Sequence, residues 1–160
     1  MKVLLIGHSG FIGQNLLKYL LRKKINLFVT KHNNVKIFGK KNINIIDLNS
    51  DLKKEDFLKN FDLVIHAAWS NLENYNSPNH TKKILPENFK FLKKLILLGV
   101  KNLVVLGSCF ELGNCSGEVL ESQIMKPNTL YGKAKQKLYN KIISLKKKKK
   151  FNLIWVRIFY

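Results

Sequence analysis

Apolar residues in this chain fall into short unbroken runs separated by segments of helical spacing. Val3-Leu4-Leu5-Ile6 is the first run and predicts a strand buried on both faces, as in a parallel sheet. Leu16/Leu17 and Leu20/Leu21 then recur at helical spacing, with Lys18, Arg22 and Lys23 on the other side. Further strands are predicted at 25–30, 42–48, 63–69, 103–107 and 153–160. A short helix is expected over 51–58, capped by Ser50 or Asp51. A second runs from Pro86 through Phe89, Leu92 and Leu95/Ile96 to Gly99, and a third starts near Thr129 with Leu138, Ile142 and Leu145 on one side. The stretch 70–83 is polar and shows no period. Strands alternating with helices imply an α/β fold, a doubly wound parallel sheet with right-handed crossovers, formed by one domain over 1–160.

Three glycines, Gly7, Gly10 and Gly13, separate the first strand from the first helix. The first can make a tight turn, the second lets backbone approach a pyrophosphate, and the third lets helix and strand pack closely. Amides at the helix N-terminus then face the phosphates. The plainer alternative is a glycine-rich turn with no ligand, and Gly-x-x-Gly-x-x-Gly departs from the commoner Gly-x-Gly-x-x-Gly. Ligands of such sheets sit at the carboxyl ends of the strands, where Gly7, Ala67 and Ser108 all fall. An NAD site of this kind ends its second strand on an acid that bonds the ribose 2′-hydroxyl. Here the strand runs into Thr30-Lys31-His32, and a cation there suits a 2′-phosphate. NADP(H) is therefore favoured, with NAD(H) the alternative if Lys31 is one more solvated lysine.

Composition narrows the classes. A chain of 160 residues, 46% hydrophobic, is long enough for one full core. No apolar run approaches the ~20 residues that span a bilayer, and the N-terminus lacks a signal-peptide layout, so a cytoplasmic protein is expected. Net charge is +19, but the lysines are spread along the chain and only Arg22 and Arg157 are arginines. Weak, salt-sensitive adhesion to polyanions follows from that charge, whereas a specific nucleic-acid site does not. Cys109 and Cys115 share one predicted loop without a neighbouring histidine, which makes neither a disulfide framework nor a metal site.

Ser108, Tyr131 and Lys135 make chemical sense together. Tyr131 and Lys135 are four apart and share a helix face. A phenol titrates near ~10, and an ammonium one turn away is expected to lower that value. The phenol can then exchange a proton with a carbonyl or alcohol oxygen while a serine hydroxyl orients the same oxygen. Tyr-x-x-x-Lys alone is common by chance in a lysine-rich helix.

The motif does not stand alone. Gly7-His8-Ser9-Gly10-Phe11-Ile12-Gly13, Asp47-Leu48, His66-Ala67-Ala68-Trp69, Asn88, Gly107-Ser108 through Gly113, and Tyr131-Gly132-Lys133-Ala134-Lys135 follow one another across nearly the whole chain. In this order they resemble the extended short-chain dehydrogenase/reductases, the NAD(P)-dependent epimerase/dehydratase family acting on nucleotide sugars. The resemblance implies a Rossmann fold with Ser108, Tyr131 and Lys135 catalytic. Together with Lys31 from the end of the second strand, the expected cofactor-binding set is Gly7, Ser9, Gly10, Phe11, Ile12, Gly13, Lys31, Asp47, Leu48, Ala67, Ala68, Tyr131 and Lys135. Within it, Asp47 contacts the adenine, Ala67 and Ala68 border the cofactor, and Lys135 bonds the nicotinamide ribose. Asn88 is implied to be a structural helix residue, and a homodimer forms through the helices carrying Asn88 and Tyr131.

Dehydratases of the family place Asp-Glu directly after the serine position, whereas here Cys109-Phe110 intervenes and Glu111 is displaced by one. The Cys-Phe-Glu form and Trp69 resemble 4-keto-6-deoxy sugar nucleotide reductases of surface-polysaccharide pathways. The alternatives are a 4-epimerase and a dinucleotide-binding module without turnover. Relatives run to roughly twice this length, so the C-terminal substrate domain is expected to be missing and the chain to be a truncated product.

Overall fold

The computed structural model describes residues 1–30, 43–47, 57–120 and 122–159. The apolar runs become strands β1 (Lys2–Ile6), β2 (Asn26–Thr30), β3 (Ile43–Ile46), β4 (Leu63–His66), β5 (Asn102–Ser108) and β6 (Asn152–Ile158). They form one six-stranded sheet in the order β3-β2-β1-β4-β5-β6. The registered pairs β1–β2, β1–β4, β2–β3 and β4–β5 are all parallel. Among the described residues the flanking α-helices are α1 (Phe11–Leu20), α2 (Leu85–Leu97) and α3 (Leu130–Lys146). This is the doubly wound Rossmann arrangement, with its direction of winding reversed between β1 and β4.

The chain divides into two compact units. The first holds residues 1–68, 95–105 and 150–154, and the second holds 69–94, 106–149 and 155–160. In the first, Val3, Leu5, Leu27, Val29 and Ile65 present one sheet face to Leu17, with Leu16 and Leu20 packed around them. Leu4, pointing the other way, is equally buried, which explains why β1 reads as an unbroken apolar run. In the second, Leu138 and Ile142 of α3 are fully buried, as their spacing requires.

Several expectations meet the structure at their edges. The helix expected at 51–58 falls mainly outside the described residues, and its end is a 3-10 turn, Phe57–Asn60. The stretch 70–83 contains a π-helical turn, His80–Ile84, running straight into α2. Cys109 is half-buried, Cys115 is exposed, and both are free thiols. Among the described residues no helix is long and apolar enough to cross a membrane.

Candidate active site

In the first unit the carboxyl ends of β1, β3 and β4 carry Gly7, Asp47 and Ala67. β1 and β4 run in register at Ile6 and His66, and the Ala67 amide donates to the Ile6 carbonyl at 2.8 Å. Gly7 therefore turns directly against β4's exit. Its φ is +86°, and a Cβ there would lie 2.6 Å from the Ala68 nitrogen. A Cβ on Gly13, in α1, would overlap the Gly7 carbonyl oxygen. Both glycines are thus demanded by the protein's own packing, Gly7 by the backbone of Ala67 and Ala68.

Gly10 differs. It is exposed, has an ordinary φ of −74°, and a Cβ there meets nothing nearer than 3.7 Å. It is also the N-cap of α1 and supplies no side-chain cap, so the first-turn amides gain no side-chain partner from it. Packing gives no reason for glycine at position 10, whereas a pyrophosphate approaching the backbone does. Ser9 is half-buried, while Phe11 and Ile12 are exposed at the head of the helix. This open cradle fits a dinucleotide phosphate. Lys31 and Leu48 lie outside the described residues.

The second unit assembles the proposed proton-transfer group. Ser108, 6% exposed, closes β5 and caps a 3-10 turn, Cys109–Glu111, by accepting from the Phe110 amide. Tyr131 and Lys135 lie on the buried side of α3. The Ser108 side chain stands close enough to the Tyr131 phenol to favour its ionised form. The three residues that the spacing singled out therefore converge.

Their electrostatics correct one expectation. The Tyr131 pKa is not lowered by Lys135 but pushed up to about 12. Burial is the main cause, opposed by the Ser108 side chain and reinforced by the negative charge of Glu111. The Lys135 ammonium is directed elsewhere. It donates to the Leu106 carbonyl at 2.8 Å and rests 4.2 Å from the centre of the Trp69 ring, but 6.0 Å from that of Tyr131. Burial also pulls Lys135 down to about 8, with Glu111 opposing. In this state Tyr131 is a protonated phenol, a proton donor rather than an acceptor.

Glu111 was visible in the sequence only as an acid one position out of place. It is fully buried, and its Oε1 accepts from the Ser108 amide at 2.9 Å. Trp155 Nε1 donates to both carboxylate oxygens and Arg157 Nε to Oε2, each at 3.0 Å. A Cβ on Gly107 would strike this cluster. Glu111 is thus a structural anchor for the serine, already saturated with donors and in no position to expel a sugar hydroxyl.

Sequence reasoning missed a second feature, the rings around Tyr131. Its ring centre lies 5.4 Å from Tyr75, 5.3 Å from His80, 5.8 Å from Phe110 and 5.9 Å from Trp69. Tyr75 and His80 come from the aperiodic stretch, where only a surplus of aromatics in polar surroundings could have signalled them. Asn88 donates to the Ile84 carbonyl at 2.9 Å, tying α2 to the π-turn before it.

Comparison with known proteins follows these features. A model of the NAD dependent epimerase/dehydratase family matches residues 3–160. A dTDP-6-deoxy-L-talose 4-dehydrogenase (NAD(+)) from Aggregatibacter actinomycetemcomitans is 28% identical over 167 residues, covering 100% of this chain and 61% of that protein. The UDP-glucuronic acid 4-epimerase of Bacillus cereus, solved with UDP-glucuronic acid and NAD, superposes with a TM-score of 0.81 at 20% identity. That match covers 98% of this chain and 56% of the epimerase. An NAD dependent NDP-hexosamine 5,6-dehydratase, TunA, gives 0.76 at 21% identity, covering 98% and 54%. The chain thus spans 61% of the curated relative and little more than half of these solved chains.

Proposed function

Since this chain belongs to the NAD dependent epimerase/dehydratase family, we propose that it is the cofactor-binding half of a nucleotide-sugar oxidoreductase working at C4. The substrate favoured is a 4-keto-6-deoxy sugar nucleotide, reduced to the alcohol. The observation that carries this reading is the convergence of buried Ser108 and Tyr131, with Lys135 buried one helical turn away. The curated relative's name supports it, since 4-dehydrogenation of a 6-deoxy sugar nucleotide is the reverse of the same reduction.

The bound dinucleotide supplies the hydride chemistry. The protein's part is to hold the C4 oxygen with the Ser108 hydroxyl and to give it the Tyr131 proton as the alcohol forms. A phenol raised to about 12 holds its proton at neutral pH, which suits that direction. The glycine turn takes the pyrophosphate, Asp47, Ala67 and Ala68 border the cofactor, and Lys135 takes the nicotinamide ribose. The names of the relatives carry NAD, so NAD(H) is preferred here over the NADP(H) that Lys31 favours. A homodimer through α2 and α3, and a place in polysaccharide assembly, belong to the same reading.

Positioning a substrate can supply ~7–11 kcal/mol of a barrier, and this chain spans only part of its relatives. We therefore expect the isolated chain to bind NADH but to reduce 4-keto-6-deoxy sugar nucleotides negligibly. Fusing it to the C-terminal part of the curated relative should restore NADH oxidation, and Tyr131→Phe should remove it again by ~100-fold or more. An active fused Tyr131→Phe variant contradicts the assignment. Interconversion of the two C4 epimers of a 4-hydroxy sugar nucleotide, with NAD present and no net NADH formed, would identify an epimerase instead.

A further inference from the structure

Lys135 is buried with no carboxylate among the described residues in hydrogen-bond contact, so what fixes its ammonium is a question the motif leaves open. One N–H goes to the Leu106 carbonyl, and the charge rests on the Trp69 indole face. That indole is itself fastened. Its Nε1–H donates to His80 Nδ1 at 3.2 Å, and the two rings lie 22° from parallel. His80 is fully buried, and its Nε2 sits 2.9 Å from the Asn74 carbonyl oxygen. An indole N–H can only donate and a carbonyl can only accept, so the partners select the Nε2–H tautomer. His80 also opens the π-helical turn, a geometry that recurs at functional sites.

We propose that His80 is a positioning residue for Lys135. Held by the Asn74 carbonyl, it locks the Trp69 indole at the angle that presents a cation-binding face to the ammonium. An indole attracts the charge without competing, as a carboxylate would, for the donors that a ligand hydroxyl needs. The proposal rests on the reading of Lys135 as a dinucleotide ligand.

The test uses the whole 160-residue chain. Long-range 1H–15N NMR should find His80 protonated on Nε2 and bare on Nδ1, and the Lys135 ε-methylene protons should be shifted upfield by the indole ring current. His80→Leu should abolish that upfield shift and weaken NADH roughly tenfold, the scale of one partly desolvated cation–π contact. His80→Gln keeps an acceptor and a donor and should restore both. A wild-type His80 protonated on Nδ1 overturns the proposal even if His80→Leu fails to fold. So does an upfield shift that survives His80→Leu, or NADH bound equally by both proteins. NADH failing to bind the wild type while the NMR signatures stand would instead contradict the cofactor reading.

Discussion

Lys135 and Tyr131 are governed by burial, and both should therefore leave a mark on stability. Lys135 titrates near 8 when folded and near 10.5 when unfolded, so between those values the unfolded chain binds the extra proton. Stability should then rise with pH from about 8 to 10, by as much as ~3 kcal/mol at ~1.4 kcal/mol per pH unit. Above 10 the trend should reverse, because unfolded Tyr131 ionises near 10 while the folded phenol holds its proton to about 12. Urea unfolding at pH 8 and pH 10 checks this, and Lys135→Met should flatten the rise. A rise unchanged in Lys135→Met would mean that another group carries it. The glycines make a sharper pair. Gly7→Ala meets backbone at a left-handed φ and should cost about 2 kcal/mol or more, whereas Gly10→Ala should leave the melting temperature nearly unchanged. Spacing and the family resemblance together singled out Ser108, Tyr131 and Lys135 as candidates. The direction of the Tyr131 shift was not legible, because the rings that desolvate it come from positions up to 62 residues away in sequence.

The turn after β5 holds Ser108 in place, and Glu111 is what fixes the turn. Replacing Glu111 with Gln keeps its shape but leaves Arg157 without its carboxylate and weakens the bonds from Trp155 and the Ser108 amide. Breaking such a pair costs about 3 kcal/mol, or roughly 6–12 °C in melting temperature for a chain of this size. A thermal melt within 2 °C of wild type (well below that rough range) would show that the cluster contributes little. Strands and helices were readable where burial follows the element's own geometry: β1 is buried on both faces, and α3 buries Leu138 and Ile142 on one. The stretch 70–83 was not, because Tyr75 and His80 pack against one tyrosine ring rather than a continuous sheet or helix face. Glu111 was hidden for a related reason, since its partners Trp155 and Arg157 lie on a strand more than forty residues further on.

The whole chain combines an open glycine turn, a convergent Ser/Tyr/Lys group and a net charge of +19. The charge complicates any binding measurement, because a polyphosphate ligand can be retained by lysines without a site. Retention of that kind fades with salt and ignores single glycines, which sets the terms for a decisive comparison. The central claim is that the strand–turn–helix opening this chain is a dinucleotide cradle, and Gly10 is the position where the protein's own packing leaves open space. The direct test is calorimetric titration of NADH into the wild type and Gly10→Val at physiological salt, with melting temperatures recorded for both. Saturable wild-type binding, lost in Gly10→Val without loss of stability, is the predicted result. NADH bound equally well by Gly10→Val, or by neither protein, would contradict it.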